Sequence, residues 1–209
     1  MSSASLLLGK GNGTFRLGAP IGASGAAFFA VADFNGDRKP DLAGVFNTGS
    51  SVQLLTGNGK GKFSLRAAFS VFTPPIALVA ADLNGDGVPD IAIANEAVNN
   101  LHSNVTVLAS SAHGYVRTRY PFGDEPRPIL AVDVNDDGKL DLVTENEFNG
   151  TVDIFINQGN GGFVTPVELP DGAITAASVA VGDLDGDGEP DSVVTDGQIP
   201  GDVHVLLQQ

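Results

Sequence analysis

The sequence predicts an all-β fold made of repeats about 50 residues long, each a small antiparallel sheet. Three observations carry the prediction. A nine-residue acidic segment occurs four times, as Asp33-Phe-Asn-Gly-Asp-Arg-Lys-Pro-Asp41, Asp82-Leu-Asn-Gly-Asp-Gly-Val-Pro-Asp90, Asp133-Val-Asn-Asp-Asp-Gly-Lys-Leu-Asp141 and Asp183-Leu-Asp-Gly-Asp-Gly-Glu-Pro-Asp191. Its first Asp falls at 33, 82, 133 and 183, intervals of 49, 51 and 50 residues. Short apolar segments flank every copy in the same phase. A period in this range belongs to propeller blades rather than to short solenoid coils. The expected architecture is a β-propeller of four-stranded antiparallel blades, with four repeat units present, either partial or small.

Each blade element has its own signal. First strands are read at Phe28–Ala32, Ile76–Ala81, Ile129–Val132 and Val179–Val181, before the acidic loops. Second strands follow the loops at Leu42–Phe46, Ile91–Ala94, Leu142–Thr144 and Val193–Thr195. These runs are short, apolar and rich in β-branched residues, as strands are. Third strands alternate, at Ser51–Leu55, Asn104–Leu108, Thr151–Ile156 and Asp202–Leu207, and period two implies one buried face. A Gly/Asn turn and an aromatic come next in Gly11–Phe15, Gly59–Phe63 and Gly159–Phe163, with Gly114-Tyr115 a degenerate copy. Such turns mark a hairpin into a fourth strand. No segment has convincing helical periodicity. The chain reads as one domain over 1–209, with units near 24–73, 74–123, 124–173 and 174–209, and 1–23 supplying terminal strands that complete a blade.

The acidic segments have the chemistry of Ca2+ cages. Oxygens at positions 1, 3, 5 and 9 converge when the chain turns tightly at positions 4 to 6, and a backbone carbonyl supplies position 7. The candidate ligands are Asp33, Asn35, Asp37, Lys39 and Asp41; Asp82, Asn84, Asp86, Val88 and Asp90; Asp133, Asn135, Asp137, Lys139 and Asp141; Asp183, Asp185, Asp187, Glu189 and Asp191. Lys39, Val88, Lys139 and Glu189 enter through their carbonyls alone. Carboxylates packed this closely repel one another unless a cation neutralises them. Oxygen-only donors favour Ca2+ over zinc or copper, and Mg2+ prefers a smaller octahedron that keeps its waters. Gly87, Gly138 and Gly188 at position 6 suit a left-handed turn. Arg38 takes that place in the first loop, which ranks it the weakest or most strained. The alternative is an ordinary Asp/Asn/Gly turn, which a lone copy would usually be; four in register favour metal.

Together the loop and the downstream Asn-Gly-x-Phe turn resemble the FG-GAP/VCBS repeat family, known from integrin α-subunit propellers, bacterial surface proteins and some fungal lectins. The resemblance covers nearly the whole chain. It implies one Ca2+ in the connection between the first two strands of each blade, held at positions 1, 3, 5 and 9. Departures are Arg38, Asp136 at position 4, Leu140 in place of Pro, and the third unit's missing turn motif. Propellers of that family usually have more blades than four. The ring is therefore expected to be partial or excised from a longer array, closed on itself by a clasp of its termini, or shared by two chains. Ser5–Leu8 and Val203–Leu207 both carry third-strand character and compete for one place.

Charge narrows the partners. A net charge of −14 and a pI near 4.3 exclude nucleic acid, whose phosphates would be repelled. Thirteen of the 25 acidic residues stand at loop positions 1, 3, 5 and 9, three in each of the first three loops and four in the last. Without Cys, disulfides say nothing of the compartment. Extracellular Ca2+ modules bind at about 10⁻⁴ to 10⁻³ M, so these loops are expected in a secreted or cell-surface setting. Leu6–Leu8 is too short for a signal-peptide core, and no segment is long enough to insert in a membrane.

The expected function is binding, not catalysis. His102, His113 and His204 are scattered and border no nucleophile motif. A rigid propeller presenting variable loops suits a protein-adhesion scaffold or a carbohydrate-binding module, or a non-catalytic part of a polysaccharide-degrading enzyme. Loops that break the repeat are the candidates: Asn95–Asn104 with Glu96 and His102, Asp124–Pro128, and Thr73–Pro75. The absence of Trp, with Tyr115 and Tyr120 the sole tyrosines, weakens the sugar reading. Phe28 and Phe29 either offer a stacking surface or fill the core between blades.

Overall fold

The computed structural model describes residues 4–23, 25–46, 49–71, 73–97, 103–123, 126–147, 150–170, 176–196 and 201–207, with side chains at all of these except 170, 176, 177 and 196. Among them every regular element is a strand. Two short strands come first, β1 (Leu7–Gly9) and β2 (Phe15–Leu17), paired antiparallel. Sheet one is β3 (Phe28–Ala32), β4 (Asp41–Phe46), β5 (Ser51–Gly57) and β6 (Phe63–Ser70). Sheet two is β7 (Pro75–Ala81), β8 (Asp90–Asn95), β9 (Asn104–Ser111) and β10 (Gly114–Pro121). Sheet three is β11 (Pro126–Val132), β12 (Asp141–Asn146), β13 (Thr151–Phe155) and β14 (Val167–Pro170). Sheet four has three strands, β15 (Ala176–Gly182), β16 (Asp191–Asp196) and β17 (Val203–Leu206). Each sheet is a meander in which neighbours in sequence are neighbours in space.

The cores lie between consecutive sheets. Ala43, Val45, Val52 and Leu54 of sheet one meet Ile91, Ile93 and Leu108 of sheet two. Ala92, Ala94, Val105 and Val107 of sheet two meet Leu142 and Phe155 of sheet three. Val143 and Val152 of sheet three meet Val179 and Val194 of sheet four. Each inner sheet is therefore covered on both sides, and β4, β8 and β12 are buried at every residue. Two third strands depart from expectation for the same reason. The period-two pattern predicts one buried face, which β5 keeps over residues 51–54, yet β9 is buried at six of its eight residues and β13 at four of its five. Alternation fades where another sheet packs on either face.

Sheet four shows the contrast. Among the described residues nothing covers its far side, and β17 alternates between exposed and half-buried. Leu184, Val203, Val205 and Leu207 stand on that side, all about half exposed or more. Their counterparts in the inner sheets are core residues. Leu184 is 52% exposed, whereas Phe34, Leu83 and Val134 at the same loop position are 2%, 1% and 7% exposed.

The sheets do not close into a ring. β1 pairs with β2 and β17 pairs with β16, so no terminal clasp forms among the described residues. Leu6 and Leu8 lie against Gly61 of the β5–β6 hairpin, as Ala109 of β9 lies against Gly161 of sheet three. The β1–β2 hairpin thus holds the place of strands three and four in a sheet before sheet one. β1 and β17 are both third strands, at opposite ends of the row, which explains why their sequences compete for one role.

Candidate metal centres

Each acidic segment joins the first strand of a sheet to the second, and all four fold alike. The first Asp organises the turn by accepting backbone N–H groups. Asp33 Oδ1 accepts from Gly36 at 2.7 Å and Asp37 at 3.1 Å, and Oδ2 accepts from Arg38 at 2.6 Å. Asp82 repeats this with Gly85 and Gly87, Asp133 with Asp137 and Gly138, and Asp183 with Gly186 and Gly188. The position-5 carboxylate accepts from the position-7 N–H at 2.8 to 3.0 Å in every loop.

The turn requires left-handed backbone at two positions. Position 6 has φ of 62° at Arg38, 81° at Gly87, 80° at Gly138 and 95° at Gly188. Position 4 is also left-handed, with φ of 76° at Gly36, 54° at Asp136 and 84° at Gly186. Arg38 and Asp136, the departures from glycine, are two of the three described non-glycine residues with positive φ. An L-residue held there costs about 1 kcal/mol relative to glycine.

Position 9 does a separate job. Asp41, Asp90, Asp141 and Asp191 are buried. Asp90 Oδ2 accepts the Leu83 N–H at 2.8 Å and Oδ1 accepts the Ser110 N–H at 2.6 Å. Asp41 does the same with Phe34 and Gly57, and Asp141 with Val134 and Asn157. Asp191 accepts from Leu184. In the three complete sheets this carboxylate ties the acidic loop to the end of the third strand. Burial pushes the Asp90 carboxyl above its usual range, against the pull of the Ser110 and Leu83 N–H groups. Asp141 is raised in the same way, with Asn157 and Val134 opposing.

The loops differ in what faces their carboxylates. In the fourth, one oxygen from each of Asp183, Asp185 and Asp187 lies within 4.8 Å of the others, and all three side chains are exposed. This donor set suits a hard cation, being oxygen-only, triply anionic and open to solvent. Loops one to three place an amide, Asn35, Asn84 or Asn135, where the fourth has Asp185. In the first loop Lys39 Nζ stands 2.9 Å from Asp37, and in the third Lys139 Nζ stands 2.7 Å from Asp137. Those hydrogen bonds hold Asp37 and Asp137 below the usual carboxylate range and raise both lysines. In the second loop the Ser110 hydroxyl donates to Asp86 at 2.7 Å and lowers it, and Asn84 Nδ2 reaches Asp86 at 3.2 Å. At Asp33 burial raises the carboxyl, but the N–H groups of Arg38, Asn35, Gly36 and Asp37 outweigh it.

All twenty expected site residues are described, and each set of five shares one loop. Sequence reading missed Ser110 and the latch made by position 9. It also missed Asn157, whose side chain donates to Leu83 O and Leu140 O, both at 2.8 Å, and ties sheet three to the second loop. No motif marks these residues; their one signal is a place at the end of a third strand.

The expected ligand loops lie at the opposite end of the strands. A cleft of about 580 Å3 opens there, lined by Phe28, Phe29, Leu78, Glu96, Arg127 and Glu147 among others, and Arg127 pairs with Glu147. Phe28 is 51% exposed in it, while Phe29 packs beside Leu42 and Phe46. Thr73–Pro75 is not the open loop expected. Thr73 and Pro75 are buried, and Thr73 Oγ1 accepts from Asn104 Nδ2 at 3.2 Å. Asn95 and Asn104 are likewise buried in one polar network with Thr106. His102, Asp124 and Glu125 lie outside the described residues. Both tyrosines pack inward: Tyr115 edge-on to Phe69, and Tyr120 against Phe155 and Phe163.

Sheets stacked side by side, each with an acidic loop in its first connection, define a β-propeller-like repeat protein. The chain belongs to the FG-GAP-like repeat family, whose profile matches residues 33–93 and 114–194. No curated protein matches it in sequence. Solved structures share its fold. A lectin of Agrocybe aegerita that recognises non-reducing terminal N-acetylglucosamine aligns at TM-score 0.58 and 16% identity, over 98% of this chain and 61% of that one. BBS1N, solved in complex with ARL6DN and soaked with lead, aligns at TM-score 0.56 and 13% identity, over 83% of this chain and 51% of that one. The V. cholerae biofilm matrix protein Bap1 aligns at TM-score 0.51 and 22% identity, over 85% of this chain and 26% of that one. The chain therefore spans between a quarter and three-fifths of the length of these neighbours.

Proposed function

We propose that this chain is a calcium-binding β-propeller module that serves as an adhesion or protein-binding scaffold at a cell surface or in a secreted protein. Structural Ca2+ ions would be held in the acidic loops, by positions 1, 3, 5 and 9 and the position-7 carbonyl. The observation that carries the reading is the fourth loop, where the exposed carboxylates of Asp183, Asp185 and Asp187 converge within 4.8 Å of one another, in a backbone turn that recurs in the other three loops. A bound ion would neutralise the repulsion and lock the connection between first and second strands. The module is proposed to be non-catalytic, with its ring completed by flanking repeats or self-association. Inward-packed tyrosines weigh towards a protein partner over a glycan.

One measurement tests the calcium. Each ion at ten times its dissociation constant adds about 1.4 kcal/mol by mass action. Chelation with EGTA is therefore expected to lower the melting temperature by several degrees, with recovery in Ca2+ and far less in Mg2+. A melting curve unchanged by EGTA refutes the reading.

A further inference from the structure

We infer that Lys39 and Lys139 are tethered counter-ions that stand in for part of the metal charge in the first and third loops, leaving the fourth loop as the tightest Ca2+ site. The inference rests on the calcium reading above and ranks the four loops within it.

Three observations point the same way. Each lysine ammonium is seated on the position-5 carboxylate of its own loop, at 2.9 Å for Lys39 and 2.7 Å for Lys139. Both stems are guided there by the following hairpin. A Cβ on Gly59 would come within 3.1 Å of Lys39 Cδ, and one on Gly159 within 2.8 Å of Lys139 Cε. These glycines leave a channel for the lysine, so its pose is set by packing as well as by charge. Formal charge then separates the loops. The first holds three carboxylates against Arg38 and Lys39, a net −1. The second holds three carboxylates, −3, and the third four against Lys139, also −3. The fourth, with Glu189 at position 7, has five acidic residues and no Lys or Arg in its own nine-residue sequence, −5.

An ammonium on a ligand carboxylate must leave or be tolerated when a divalent ion enters. A like charge a few ångströms from the ion weakens binding on the order of tenfold even with water-like screening. The same ammonium benefits the loop when no metal is present, because it neutralises carboxylates that would repel one another. Loops one and three are thus built to hold their turn at low Ca2+, and loop four to respond to it.

The test is calorimetric Ca2+ titration and native mass spectrometry of the wild type, Lys139→Met, Lys39→Met and Asp187→Asn, with melting in EGTA and in excess Ca2+. The expected wild-type result is one Ca2+ bound tighter than the rest, and lost in Asp187→Asn. Lys139→Met and Lys39→Met should each tighten one weaker site on the order of tenfold. Each should also melt lower than wild type in EGTA and higher in Ca2+. This crossing is one that a merely structural role for the stem would not produce. Unchanged Ca2+ constants in both lysine variants, or a tightest site that survives Asp187→Asn, overturn the inference alone. A wild type that binds no Ca2+ sinks the calcium reading and this inference with it.

Discussion

Asp153 offers the sharpest energetic test of the interface between sheets two and three. It lies on β13, fully buried, on the face that sheet three presents to sheet two. Its cross-strand partners are Thr144 on β12 and Glu168 on β14. Neither carboxylate oxygen has a well-formed hydrogen bond. Burial, and then the Glu168 charge, push the carboxyl from 3.8 to about 7, while Asn146 and Thr151 beside it pull part of the way back.

The stability consequence follows from linkage. The folded protein holds this proton up to about pH 7, whereas the unfolded chain releases it near 3.8. Stability from this site is therefore highest below pH 4 and falls as pH rises through the window between the two values. A shift of about three units corresponds to about 4 kcal/mol at full effect, and about 2 kcal/mol once solvent around the exposed Glu168 is allowed to screen. Asp153→Asn removes the charge and keeps the shape. Above pH 7 the variant should be more stable by about 2–4 kcal/mol, about 5–15 °C in melting temperature for a chain of this size. Near pH 4 the two should converge. Melting followed by circular dichroism from pH 4 to 8 in saturating Ca2+ reads the difference, and other carboxylates cancel between the two proteins. Parallel pH profiles would show that Asp153 is not held protonated, and the reasoning fails.

Two further outcomes follow from the latch and from the uncovered sheet. Asp90→Ala strands the buried N–H groups of Leu83 and Ser110 and should cost about 2–5 kcal/mol in a denaturant titration, with or without Ca2+. If the loss vanishes in EGTA, the carboxylate serves the ion and not the backbone. Leu83→Ala should cost about 2–5 kcal/mol, and Leu184→Ala at the equivalent loop position less than about 0.5 kcal/mol. Equal losses in urea melts would mean that the far side of sheet four is covered in solution.

The strand plan was legible because its punctuation is local. An acidic nonapeptide cannot sit inside a strand, and each copy separates two apolar runs, so β3, β4 and their counterparts could be placed from sequence to within a few residues. The left-handed position 6 was legible for the same reason, since glycine stands there in three loops of four. Position 4 carries the same signal, with Gly36, Gly85 and Gly186 against the single exception Asp136. The role of position 9 was invisible. Its donors at the end of the third strand, Gly57, Ser110 and Asn157, come 16 to 20 residues later and latch it through backbone N–H groups, which carry no side-chain signature. Burial on both faces was also hidden, because it depends on what neighbours each sheet.

That asymmetry between loops and faces explains how the repeat diverges. The loops keep Asp at positions 1, 5 and 9, where each carboxylate closes a defined set of backbone hydrogen bonds. The faces between sheets need only matched volume and satisfied polar groups, so one register position can change class. The residue opposite Gly44 is Gln53, the one opposite Ile93 is Thr106, and the one opposite Thr144 is Asp153. Thr106 is satisfied within its own sheet by Asn95 and Asn104. Asp153 has Asn146 and Thr151 in those same two places, but its oxygens lack that closure. Sheet three thus carries at this position a burden that sheet two has solved, and the proton taken up by Asp153 relieves it.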